Sequence, residues 1–485
     1  TILGVATAAL SVTGSWIPSV WGDEATSILS SERSLPSLFR MLGHVDAVHG
    51  TYYLLLHFWV DVFGASAFSV RVPSAIAAGI AAAGVVVLAT RLADARIGIF
   101  AGIVFAVLPR TTYMGEEARG YALSAACAVW VTILLVRLMT SRPRRRTWFA
   151  YAVAIALCGY VFLFSLLLVP VHAVLVFGYR RDLVRRWLTS MCVSVVIALP
   201  VLVYGIAEQG QIAFLSARTA ATFNSVAIGQ WFGNPVLAVL AWAAIFVAIG
   251  LGVQSWLRDR RARREHLSPP ASPTGAPSLI VVGALWLLLP MSILLGVNWV
   301  HAIYSSRYLS FAAPAAALLI GWLIGRPTRF LASAIALAII VAAAAPTYLS
   351  QRTVYAKNSS DWSVDAAYIA SHAKAGDGIL FDESTRPSRR PRLAMRAYPD
   401  SFAGLTDIAL KTPWWATDSW RDSTYPLDAV ASRLRGINTV WLIEYRDSGT
   451  SGDTYDLPAL ENNGYSIVKR QDEYRSVIIE LRRDE

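Results

Sequence analysis

Apolar residues in this chain gather into runs instead of alternating with polar ones. Runs of spanning or near-spanning length lie at about 1–14, 69–91, 97–111, 118–139, 148–163, 165–178, 187–206, 235–257, 279–298, 308–325 and 330–348. Because a helix rises about 1.5 Å per residue, roughly 20 apolar residues cross the hydrocarbon core of a bilayer. The pattern predicts a polytopic α-helical membrane protein with about 11 transmembrane helices, the shorter runs being completed by polar flanks or by re-entrant geometry. The run at 1–14 opens at Thr1 and reads as the end of a spanning helix whose start is missing. Between the first two runs, the pieces near 24–42 and 51–63 have helical apolar spacing but are too short to span, as helices lying in the membrane interface are. The pattern changes after about residue 350. A helix near 361–373 precedes a strand at GILF, and TVWLIEY and SVIIEL read as further strands, so 351–485 is expected to be a soluble α/β domain attached to a membrane domain at 1–350.

Composition agrees: 55% of residues are hydrophobic, 15% are charged and the mean hydropathy is +0.48, whereas soluble domains are nearer a quarter charged. The net charge of +11 would fit a nucleic-acid binder, but the placement of the arginines excludes that reading. Arg91 and Arg96; Arg142, Arg144, Arg145 and Arg146; Arg180, Arg181, Arg185 and Arg186; Arg258, Arg260, Arg261, Arg263 and Arg264; and Arg326 and Arg329 all fall on alternate loops. By the positive-inside rule these loops are cytoplasmic. The N-terminus is then expected in the cytoplasm and the C-terminal domain outside, in a multi-pass plasma-membrane protein. The stretch SPPASPTGAP at 268–277 reads as a proline-rich cytoplasmic linker. Cys127, Cys158 and Cys192 all lie in apolar runs and provide neither a disulfide framework nor a zinc site.

Candidate chemistry sits on the outer loops. Residues 15–68 carry Asp23, Glu24, Asp46 and His49, and a carboxylate placed within a bilayer costs roughly 2.5–3.5 kcal/mol. Asp23 and Glu24 could simply favour the N-terminus of the following helix. Yet the next outer segment, PRTTYMGEEARGYAL, holds Glu116, Glu117, Arg119 and Tyr121, and WVHAIYSSRYL holds His301, Arg307 and Tyr308. Arg119 could serve only to neutralise a neighbouring glutamate. Taken together, acids, arginines and histidines recurring at one membrane face suit an anionic lipid headgroup.

Five motifs, WGDEA at 21–25, VDAVHGTYYLLLHFW at 45–59, RVPSAIAAG at 71–79, EEARGYAL at 116–123 and RYLSF at 307–311, resemble the GT-C superfamily. These are integral-membrane glycosyltransferases that use polyprenyl-phosphate sugars. The likeness covers about 1–350 and is closest to actinobacterial mannosyltransferases and the protein O-mannosyltransferase-like group. It implies that Asp23, with Glu24 beside it, is the catalytic base. Many relatives have two prolines after the histidine of the second motif, where this chain has Gly50 and Thr51 after His49.

Transfer of a sugar from a polyprenyl phosphate to a hydroxyl needs one base for the acceptor proton and cations for the departing phosphate. An inverting mechanism therefore wants one aspartate and a few arginines or histidines, without the carboxylate pair of a glycosidase. The assignment is Asp23 as base; Glu24, Asp46, His49 and Glu117 orienting acceptor or sugar; and Arg307, His301 and Arg119 holding the phosphate, since a guanidinium can make two hydrogen bonds to it at once. No metal or cofactor is required by this scheme. The alternative is a divalent ion held by His301, His49, Asp46 and Glu24, although no tight ligand spacing is present. Trp414, Trp415 and Trp420 in PWWATDSW could stack on a sugar, or could anchor at the interface and pack the domain. The expected reaction moves mannose to a cell-envelope glycolipid or lipoglycan on the extracytoplasmic side. A protein acceptor or an arabinose donor are enzyme alternatives. A lipid transporter or flippase is a rival of another class, weakened by the absence of a visible internal repeat. A receptor would leave the loop acids unexplained.

Overall fold

The computed structural model describes residues 1–141, 144–211, 221–264, 277–446 and 456–484; Arg142 and the linker residues 268–276 lie outside them. Every one of the eleven apolar runs is helical, the one at 97–111 being broken into two helices. Among the described residues seven are long and apolar enough to cross a membrane singly: Ala67–Leu92, Tyr121–Thr140, Arg181–Ala207, Pro235–Arg261, Leu279–Val300, Ser306–Gly325 and Phe330–Ser350. Ala95–Val107 and Pro109–Gly115 together make an eighth candidate, bent by 62°. Proline explains the bend. Leu108 is held extended at φ −58°, ψ 130° ahead of Pro109, which then opens a new helix where its missing N–H is harmless. Ile2–Val12, Arg145–Val161 and Leu163–Tyr179 are shorter.

The chain divides into two compact units. The first comprises 1–13, 47–52 and 72–349, and the second 14–46, 53–71 and 350–485. In the first, small residues let helices approach closely: a Cβ on Gly79 would overlap the Gly4 carbonyl, and one on Gly321 would overlap the backbone of Ala101.

In the second unit, the piece expected as one helix over 24–42 is two, Gly22–Ser31 and Leu35–Leu42. A continuous helix would need the N–H that Pro36 lacks and would drive its ring into the Glu32 carbonyl, so the chain breaks at 32–34. The later piece is the helix Gly50–Phe63, which leaves Leu55, Phe58, Val62 and Phe63 exposed as an apolar strip. Among the described residues helix Trp362–His372 and seven strands follow: β1 (Gly378–Phe381), β2 (Thr406–Asp407), β3 (Leu410–Thr412), β4 (Ser423–Thr424), β5 (Thr439–Tyr445), β6 (Tyr465–Asp472) and β7 (Ser476–Arg483). The main sheet has the order β2-β1-β5-β7-β6, parallel across β2, β1 and β5 and antiparallel across β5, β7 and β6, with Leu442 opposite Ile479. Strands β1, β5 and β7 are the apolar ones expected from GILF, TVWLIEY and SVIIEL, and Leu380, Val440, Leu442, Ile479 and Leu481 form their buried core. The tryptophan loop belongs to packing in part. Arg33 lies 5.5 Å from the Trp414 ring and donates to the carbonyls of Trp414, Thr417 and Ser419. Trp414 is buried, and Trp415 is half exposed.

Candidate functional site

Asp23 and Glu24 sit in the first turn of helix Gly22–Ser31, where the helix dipole favours negative charge. The N-cap residue, Trp21, makes no side-chain cap hydrogen bond. The surroundings of the two acids differ sharply. Glu24 has no exposed surface, and Arg71, equally buried, grips both its oxygens: Nε donates to Oε1 at 2.8 Å and Nη2 to Oε2 at 2.5 Å. The remaining guanidinium donors reach the carbonyls of Ser15 at 2.5 Å, Pro18 at 2.9 Å and Ser19 at 3.4 Å. One arginine thus ties the turn segment 15–19 to the helix that follows it. Glu24, expected to orient acceptor or sugar, has both oxygens occupied by Arg71. Asp23 keeps partly exposed surface.

The backbone around Asp23 is also held from the C-terminal part of the same unit. Tyr398 Oη accepts from the Val20 N–H at 2.9 Å, and Ser360 Oγ donates to the Val20 carbonyl at 2.6 Å. Gly22 touches the Ser388 carbonyl so closely that a Cβ would overlap it. Asp46, also in this unit, adopts the left-handed conformation at φ +59°. That conformation is uncommon for a residue with a Cβ, and aspartate tolerates it better than most. The hydroxyl of Tyr53 donates to Asp46 Oδ2 at 3.1 Å.

In the first unit, Glu116 and Glu117 are fully buried and Arg119 nearly so. Arg307 approaches Glu117 at 3.6 Å, with its guanidinium 5.8 Å from the Tyr121 ring. The structure therefore joins two residues nearly two hundred positions apart that the sequence had offered as site members. The Tyr308 ring stacks on Phe164 at 4.4 Å. His301 is exposed at the end of helix Leu279–Val300, and its side chain makes no hydrogen bond or ion pair with the described residues. His49 lies half-buried in the short helix Ala47–His49. Among the described residues no three His, Cys, Asp or Glu side chains are grouped to hold a metal.

Two arginines escaped the sequence reading. Arg71 was quoted only as the first letter of a motif, yet a charged residue at the head of an apolar run is a signal in itself. Arg110 is buried beside the helix bend, where it donates to the Gln230 carbonyl at 2.6 Å and the Gly229 carbonyl at 2.9 Å. The hydroxyl of Tyr304 donates to Gln230 Oε1 at 2.8 Å. Nothing in the spacing of these residues shows that they meet.

The solved structure of ArnT from Cupriavidus metallidurans bound to undecaprenyl phosphate matches with a TM-score of 0.60 over 99% of this chain and 97% of that one, at 14% identity. The chain has the GT-C fold. An apo structure of the same ArnT matches at a TM-score of 0.57. An Archaeoglobus fulgidus oligosaccharyltransferase in complex with Zn and sulfate matches at 0.50 and 13% identity, over 91% of this chain and 67% of that one. Residues 51–204 match the family of dolichyl-phosphate-mannose-protein mannosyltransferases. No curated protein matches the chain by sequence. The GT-C fold agrees with the multi-pass helical architecture and with the strand-containing C-terminal part described above.

Proposed function

We propose that this GT-C protein is an inverting glycosyltransferase that moves mannose from polyprenyl-phosphate mannose to a glycolipid or lipoglycan acceptor on the extracytoplasmic side. The observation that carries the reading is the division of labour in the acid pair. Arg71 occupies both oxygens of Glu24, so Asp23 is the member with surface to offer. A single base is what an inverting transfer to a hydroxyl requires. In this reading Asp23 accepts the acceptor proton as the oxygen attacks the anomeric carbon. Arg307, steadied by Glu117, stabilises charge on the departing phosphate, with Arg119 in support. The polyprenyl-phosphate donor is supported by the undecaprenyl phosphate bound to ArnT and by the name of the family matched at 51–204. That name also favours a second reading, in which the acceptor is a protein hydroxyl.

The test is turnover of the purified full chain with polyprenyl-phosphate mannose and either envelope lipids or a serine- and threonine-containing peptide, wild type beside Asp23→Asn. The expected result is product from the wild type and a fall of about 10²–10⁴-fold in Asp23→Asn with donor binding retained. Equal turnover in both proteins would remove Asp23 as base. Product with the peptide alone would establish the second reading, and turnover only with an arabinose donor would replace mannose.

A further inference from the structure

In the second compact unit, a narrow pocket adjoins the backbone of the Asp23 turn and uses none of the residues assigned to the reaction. Trp21, Gly22, Asp361, Arg389, Tyr445 and Arg475 are among its walls. Two helices begin there. Trp21 and Gly22 open helix Gly22–Ser31, and Asp361 and Trp362 open helix Trp362–His372; neither N-cap residue closes its helix with its own side chain, and at the second the Ser363 N–H donates to Ser19 Oγ at 3.0 Å. Each start carries the positive end of a helix dipole.

Two guanidinium groups meet at the same place. Arg389 Nη1 donates to Tyr445 Oη at 2.6 Å, and Arg475 Nη1 reaches the same oxygen at 3.4 Å. The Nε of Arg475 is buried without an acceptor among the described residues, a donor that normally finds a partner. The turn bearing Arg475 is pinned by Tyr474, whose ring stacks on Tyr355 at 5.1 Å. Against these positive groups stands Asp361. Its carboxylate is already engaged by the Arg475 N–H and, at 3.1 Å, by the Ser476 hydroxyl. Burial pushes the Asp361 carboxyl above its ordinary range, and burial beside Asp361 pushes Asp365 well above it.

The geometry points to an anion subsite here, for a phosphate or carboxylate carried by a substrate of the transferase. The inference rests on the proposed function for what the anion is attached to, and on the pocket alone for the anion. The free interior, about 20 Å³, has the order of size of one water molecule. It admits an oxygen or two of an anionic group and excludes a sugar ring. Such a subsite would fix a charged acceptor, or the charged end of the donor, against the same backbone that carries Asp23. The C-terminal part would then select substrates as well as support the fold.

The experiment follows thermal unfolding of the full chain in detergent against inorganic phosphate at constant ionic strength, so that turnover is not needed. Wild type, Arg475→Gln, Arg389→Gln, the charge-keeping Arg475→Lys and Arg307→Gln are compared. Saturable binding is expected to raise the wild-type midpoint by about 2 °C or more. The rise should persist in Arg307→Gln, shrink in Arg475→Lys and vanish in Arg475→Gln and Arg389→Gln. If Arg475→Gln does not fold, Arg475→Lys and Arg389→Gln still decide the matter. Absence of a rise in the wild type, or a rise lost only in Arg307→Gln, would overturn the subsite. Repeating the titration with polyprenyl phosphate present separates the sources: a rise that persists assigns the pocket to the acceptor's anion, and one that disappears assigns it to the donor's. Because phosphate binding is read without turnover, the subsite can stand if the mannose reading falls.

Discussion

A buried ion pair gains little over an apolar pair of the same shape, but breaking one by removing a single partner strands a charge and costs about 3–5 kcal/mol. That asymmetry separates the roles of Glu24 and Asp23. Arg71→Gln should lower the stability of the protein by about that amount, because the Glu24 carboxylate would lose two hydrogen bonds and the carbonyls of Ser15, Pro18 and Ser19 would lose their donor. Glu24→Gln should do so to a similar extent, and the double variant should recover part of the loss. Asp23→Asn, with exposed surface, should leave unfolding nearly unchanged while removing turnover. Denaturation curves of the four variants check this, and equal stability losses at Asp23 and Glu24 would show that the two acids act alike. The sequence offered both carboxylates together because they are adjacent and equally out of place at a membrane face. Their division depends on an arginine 47 positions downstream of Glu24, and adjacency carries no information about that contact.

Elements were legible where apolar periodicity alone decides them. All eleven apolar runs are helical, the one at 97–111 in two pieces broken at Pro109, and the apolar strands β1, β5 and β7 lie where GILF, TVWLIEY and SVIIEL stand. What escaped has a common cause, since in each case a polar or single-residue feature overrides the period. Strand β6 reads YSIVKRQD because it is the edge of the sheet, where charged side chains face solvent. The break at 32–34 is set by one proline. Gly22 is the sharpest example, since its lack of a side chain is fixed by the Ser388 carbonyl, a contact across more than 360 residues. Gly22→Ala should therefore force the loop around Ser388 away from the Asp23 helix and destabilise the protein by about 1–3 kcal/mol. Gly64→Ala provides the control. It has φ +74° with no atom within 4 Å of the added Cβ, so only backbone strain of about 1–2 kcal/mol applies and the Asp23 helix is untouched. Chemical-shift or crosslinking changes at Ser388 in Gly22→Ala, absent from Gly64→Ala, would confirm the difference. Matching effects from both substitutions would mean that the close approach is not what requires the glycine.

For the molecule as a whole, seven described helices, or eight with the bent pair, are long and apolar enough to cross a bilayer, but their length and composition do not say which side each loop faces. Orientation rests on the arginines. Their clusters fall on alternate loops, and translocating such clusters is unfavourable, so the loops bearing them are expected in the cytoplasm and the C-terminal part outside. The three native cysteines lie in helices and can be replaced by alanine to give a background without thiols. In that background a cysteine at exposed Asp418 should react with a membrane-impermeant maleimide in intact cells, and a cysteine at exposed Ser141 should react only after lysis. The reverse pattern would put the tryptophan loop, and with it the residues of 350–485, in the cytoplasm. Polyprenyl-phosphate sugars would then have to be used on the inner face, and an extracytoplasmic acceptor would no longer be tenable even with Asp23 acting as base. Labelling at both positions in intact cells would indicate a leaky preparation, which a cytoplasmic marker protein scored in the same cells detects directly.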